Sequence, residues 1–75
     1  MSTASEPIQT KLEPLVSVVM PAYNAEIWIK SAIESILAQS YKNWELLILD
    51  DASTDATRDI IYSFLDARIK LIINK

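Results

Sequence analysis

The sequence predicts an α/β fold, a three-stranded parallel β-α-β-α-β unit. Three observations predict it. The runs LVSVVM, WELLIL and RIKLIIN are rich in aliphatic residues and lack a helical period, as strands do. Between them lie segments whose apolar residues recur every three or four positions, joined by short connections. The middle run is almost continuously apolar, which marks a strand covered on both faces inside a parallel sheet.

Each element follows in order. Residues 1 to 14, MSTASEPIQTKLEP, read as a flexible polar tail closed by Pro14. The first strand covers residues 15 to 20 and stops at Pro21, because proline cannot extend a central ladder. From Ala25 to Ser40 the period becomes helical. Ile29, Ile33, Ile36 and Leu37 share a face, with Glu26, Lys30 and Glu34 on others. Asn24 or the residue after it can cap this helix, and Glu26 suits its positive end.

YKN, residues 41 to 43, turns the chain into the second strand, residues 44 to 49. A second helix is predicted from about Thr54 to Ala67, with Ile60, Ile61, Phe64 and Leu65 as its apolar stripe. Ser53 or Asp55 is its natural cap. RIKLIIN, residues 68 to 74, is the third strand. Right-handed crossovers then give half of a doubly wound nucleotide-binding fold. Residues 15–75 read as one partial domain that stops after its third strand and leaves a sheet edge uncovered.

Composition narrows the chemistry. The net charge is −3, and the seven Lys and Arg residues are scattered, so no nucleic-acid or anionic-membrane surface is expected. Cysteine is absent, which excludes disulfides and thiolate metal sites. Histidine is absent too, leaving carboxylates as the only side chains that titrate below neutrality. The chain has no glycine, so Walker loops and G-x-G-x-x-G turns are excluded. Asn24, Asn43 and Asn74 are the best candidates for any left-handed turn position. No apolar run approaches the ~18 residues of a membrane span, and Glu6 and Pro7 stand where a signal peptide would be apolar. A cytoplasmic chain is expected, associated with a membrane only through a region outside this stretch.

In open parallel sheets, ligands bind beyond the carboxyl ends of the strands. PAYNAE follows the first strand there, DDASTD the second, and Asn74 and Lys75 the third. Asp50 and Asp51 at a helix N-terminus would repel phosphate, so this corner suits a nucleoside. A carboxylate here can hold ribose hydroxyls or accept an N–H from a base edge. Tyr23 either stacks on a base or covers the neighbouring loop. Ser53 and Asp55 suit plain helix caps, and Glu26 the positive end of its helix. Trp28, Tyr41 and Trp44 are assigned to packing.

The order strand-P-x-Y-N, helix ending S-I-L-x-Q-S-Y, strand-D-D-x-S-x-D resembles the opening of a family 2 glycosyltransferase, over about residues 15 to 74. These are inverting nucleotide-sugar enzymes of the Rossmann-like GT-A fold. The resemblance implies that Pro21, Ala22 and Tyr23 lie along the nucleoside, with Tyr23 against the base. Asp51 would accept the base N–H, uracil being the commonest case, with Asp50 at the foot of the same pocket. Ser53 and Asp55 would brace the loop and cap the second helix. Family members usually carry glycine where Ala52 stands, and alanine suggests a loop that avoids a positive φ there. The family's D-x-D motif, which holds Mg²⁺ or Mn²⁺ on the diphosphate, comes later in its members. So does the carboxylate base.

The resemblance therefore implies a UDP-sugar donor, a glycan or lipid acceptor in the complete enzyme, and a chain that is inactive alone. Two other readings stand beside it. One is a truncated α/β unit that self-associates into a homo-oligomer through its exposed sheet edge. The other is a signalling receiver domain. There the acidic pair follows the first strand, whereas here it follows the second.

Overall fold

The computed structural model describes residues 13–74. Most of the expected N-terminal tail, residues 1–12, lies outside the described residues, as does Lys75. The elements alternate as predicted: β1 (Val16–Ala22), α1 (Ile29–Ala38), β2 (Trp44–Asp51), α2 (Thr57–Tyr62) and β3 (Ile69–Asn74). The strands form one parallel sheet in the order β1-β2-β3. This is the three-stranded parallel β-α-β-α-β unit that the sequence predicts.

The strand order has a consequence for burial. Two right-handed crossovers that step the same way across a sheet put both helices on one face. On that face Trp44, Leu46, Ile48 and Asp50 of β2 alternate as buried residues. They pack with Ala22, Ala25, Ile29, Ile33 and Ile61 into the core. Full burial of side chains such as Ile29 and Ile33 stabilises by roughly 1.5–3 kcal/mol each.

The expectation that both faces of β2 are covered is corrected here. Leu49 is partly open to solvent, and Val19 and Ile72 of the flanking strands are about half exposed. The apolar run of β2 thus serves two faces, of which the helices cover one. Nearer the strand starts the open face is polar. Glu45 accepts from Ser17 and from Lys70 Nζ at 3.2 Å, and its carboxyl is held below the usual range by these donors.

Other boundaries shift for local reasons. β1 runs through Pro21, which pairs in register with Leu49. An edge strand tolerates proline where a central one would not, and among the described residues β1 pairs only with β2. β2 continues through both aspartates to Asp51. α1 starts at Ile29 rather than near Ala25, and the backbone N–H groups of residues 24 to 26 before it are bound across to the second loop.

α2 is a short helix that ends at Tyr62. Ser63 and Phe64 close it with i−3 and i−4 bonds to Asp59, Ile60 and Ile61 carbonyls. Leu65, expected on the apolar stripe, lies beyond that end and is almost fully exposed. Below the sheet, Arg68 locks the turn into β3. Its guanidinium binds Asp66, lies 3.9 Å from the Trp44 ring centroid, and donates to the Lys42 carbonyl.

Candidate functional site

The carboxyl ends of the strands carry two loops, residues 23–28 and 52–56, and they are laced together. Asn24 sits in the left-handed region with φ 46°, which asparagine tolerates better than most residues. From there its backbone N–H donates to Ser53 Oγ at 2.9 Å, and its Oδ1 accepts Thr54 N–H at 2.8 Å. Ala25 N–H donates to Thr57 Oγ1 at 2.7 Å. Glu26 N–H donates to Asp55 Oδ2 at 3.2 Å, while Glu26 Oε1 accepts Ala56 N–H at 3.0 Å. Each of three consecutive residues in one loop is thus tied to the other.

Asp55 also closes the start of α2, accepting Thr57 N–H at 2.9 Å and the Thr57 hydroxyl. Burial pushes the Asp55 carboxyl up, but donors from Thr57 and Glu26 outweigh it and leave it below the ordinary value. Ala52 adopts φ 59°. That corrects the expectation that alanine here avoids a positive φ. The chain must reverse directly after β2, and the loop bonds hold Ala52 in the left-handed region despite its Cβ.

The alternation of a strand separates the acidic pair. Asp50 faces the helices, is wholly buried, and has both oxygens engaged. Its Oδ2 accepts Ser53 N–H at 3.2 Å and Arg58 Nε at 2.7 Å, and its Oδ1 accepts the Ser53 hydroxyl. Burial raises its pKa, yet the hydrogen bonds from Ser53 and Arg58 more than offset this and lower it. Asp51 lies on the opposite, exposed side, paired in register with Asn74. Asn74 Nδ2 donates to Asp51 Oδ1 at 3.1 Å.

Tyr23 follows directly on the Ala22–Asp50 pairing, so it stands level with Asp51, and it is 62% exposed. Pro21 is exposed and Ala22 is buried. The structure therefore brings Pro21, Tyr23, Asp51 and Asn74 to one end of the sheet, open to solvent. It places Ala22 and Asp50 beneath them, and Glu26, Ser53 and Asp55 in the bracing between the loops. Thr57 and Arg58 belong to this arrangement although sequence reasoning gave them no role in it. Asn24 and Asn74 read from sequence as strand-end residues suited to left-handed turns, and Asn24 adopts one, while sequence does not foretell their cross-loop and cross-strand hydrogen bonds.

Elsewhere, a cleft of about 380 Å³ opens between the C-terminal half of α1 and the start of β1, lined by Val16, Val18, Ile36, Tyr41 and Trp44. It lies at the opposite end of the strands from the acidic loop and has no charged lining, so it is not the candidate site. Among the described residues no group of three or more His, Cys, Asp or Glu side chains could hold a metal ion. Among them, too, no helix is long and apolar enough to cross a membrane.

The family model for glycosyl transferase family 2 matches residues 17–75. This chain belongs to that family. It is 54% identical over 61 residues to a UDP-Glc:alpha-D-GlcNAc-diphosphoundecaprenol beta-1,3-glucosyltransferase of Escherichia coli, covering 81% of this chain and 24% of that protein. It is 48% identical over 65 residues to a putative teichuronic acid biosynthesis glycosyltransferase of Bacillus subtilis, covering 84% of this chain and 26% of that one. A putative glycosyltransferase, EpsE, of the same organism is 55% identical over 65 residues, 83% and 23% of the two chains. The chain thus spans about a quarter of the length of these relatives.

Proposed function

We propose that this chain supplies the nucleoside-binding part of an inverting glycosyltransferase that uses a UDP-sugar donor. The observation that carries this is the placement of Asp51. It is an exposed carboxylate at the end of the central strand, level with the exposed Tyr23, above a loop pair held by cross-bonds. In open parallel sheets this is where ligands bind. A carboxylate there accepts a base N–H, and an adjacent tyrosine offers a face for stacking. The Escherichia coli relative, a UDP-Glc-dependent glucosyltransferase by name, supports a UDP-sugar donor.

In this reading Pro21 and Tyr23 line the nucleoside, Asp51 receives the ring N–H, and Asp50 with Ala22 supports the floor. The described residues do not fit a metal ion. Mg²⁺ or Mn²⁺ on the donor diphosphate, the catalytic base and the glycan or lipid acceptor site would then belong to the rest of a longer protein. Any membrane association would come from that part too, and this chain by itself would be inactive.

The competing reading is self-association, favoured by the edges of β1 and β3, each of which, among the described residues, pairs only with β2. An NMR titration of the chain with UDP, beside NAD⁺ and acetyl phosphate, separates the two. Uridine-selective shifts around Tyr23 and Asp51 are the expected result. No response to UDP in a folded chain, with sedimentation that depends on concentration, would favour self-association.

A further inference from the structure

Asn74 is the last residue of β3 and stands opposite Asp51 in the parallel register. Both side chains sit on the side of the sheet away from the helices, and Asn74 Nδ2 donates to Asp51 Oδ1 at 3.1 Å. From this geometry we infer that Asn74 is a positioning residue for the nucleobase, holding Asp51 so that one carboxylate oxygen faces the ring N–H. The inference rests on the reading of Asp51 as the base acceptor.

The physical argument starts from Asp51's neighbours. Asp50, the residue before it, is fixed by Ser53 and Arg58, whereas Asp51 is exposed and Asn74 is its one side-chain partner among the described residues. An exposed carboxylate samples several rotamers, and a ligand that uses it must bear the cost of choosing one. Anchoring Oδ1 from the neighbouring strand makes that choice in advance and leaves Oδ2 as the acceptor.

Asp51 is the dependent partner, because a carboxylate without Asn74 keeps its charge but loses its direction.

The test is a titration of the full chain with uridine 5′-monophosphate and with its 3-methyluridine counterpart, which has no ring N–H to give. Asn74→Ala should weaken the uridine nucleotide about five- to tenfold, the worth of one hydrogen bond. The same change should leave the methylated nucleotide's binding and the melting temperature unaltered. In an Asp51→Asn background it should cost little further. Asn74→Asp, which sets a second carboxylate against Asp51, should weaken uridine binding more than Asn74→Ala does.

Equal losses for both nucleotides, or the same loss with and without the Asp51 carboxylate, would overturn the positioning role. A wild-type chain that binds both nucleotides equally would instead show that Asp51 does not read the base, and the inference would fall with that reading.

Discussion

The backbone N–H of Ala25 donates to Thr57 Oγ1 across 2.7 Å, and both residues are wholly buried. This bond ties the entry to α1 to the first turn of α2, beneath the loops that carry the candidate site. It gives an acceptor to the Ala25 N–H, one of the donors that the start of a helix leaves without an intrahelical partner, while the Ala25 carbonyl accepts Ile29 N–H at 2.8 Å. Thr57 also donates to Asp55, so one hydroxyl serves two loops.

Thr57→Val should therefore destabilise the chain although it conserves shape. It leaves the buried Ala25 N–H without an acceptor, at a cost of about 1–3 kcal/mol. Thr57→Ser keeps the hydroxyl and should be the milder change. Urea unfolding of both variants checks this, and equal midpoints for valine and threonine would refute the role given to the hydroxyl.

Ala52→Gly should stabilise the chain. The φ of 59° at Ala52 costs an L-residue roughly 1–2 kcal/mol, and glycine avoids it while losing more backbone entropy on folding. A net gain of about 0.5–1 kcal/mol is expected, read as a higher unfolding midpoint.

Asp51→Asn should weaken UDP binding by on the order of 1–3 kcal/mol without altering the unfolding midpoint, because the side chain is exposed and outside the core. Calorimetric titration measures it. Unchanged affinity would remove Asp51 from the site.

Stability should fall in acid, and Asp66 sets part of the window. Hydrogen bonds from the Arg68 side chain and backbone lower its pKa to about 2. Its unfolded value is near ~3.9, so the folded chain prefers the ionised form. Its contribution is complete above the unfolded value and is lost as pH falls through the folded one. Urea midpoints should hold between about pH 7 and 5, then drop between about pH 4 and 2. Asp66→Asn should remove part of that drop. A wild-type midpoint level down to pH 2 would contradict the assignment.

Much of this architecture was legible in the sequence, because period and chain punctuation report what a segment can bury. WELLIL could be little other than a parallel-sheet strand, and Ile29 with Ile33 marked the buried face of the first helix. What the run of β2 could not disclose is that its two faces have different fates. That depends on strand order, which decides where both helices go.

The same limit applies at the site. The sequence by itself determined that a carboxylate pair ends the central strand of a chain with no glycine, histidine or cysteine. Only the tertiary structure decided that Asp50 turns inward to Arg58 and Ser53 while Asp51 turns outward to Asn74. Neighbours in sequence point to opposite faces of a strand, and their partners come from other elements, 3 to 23 residues away along the chain. Local pattern names the residues at a strand end. The register between strands and the packing of the second helix determine which of them meets solvent.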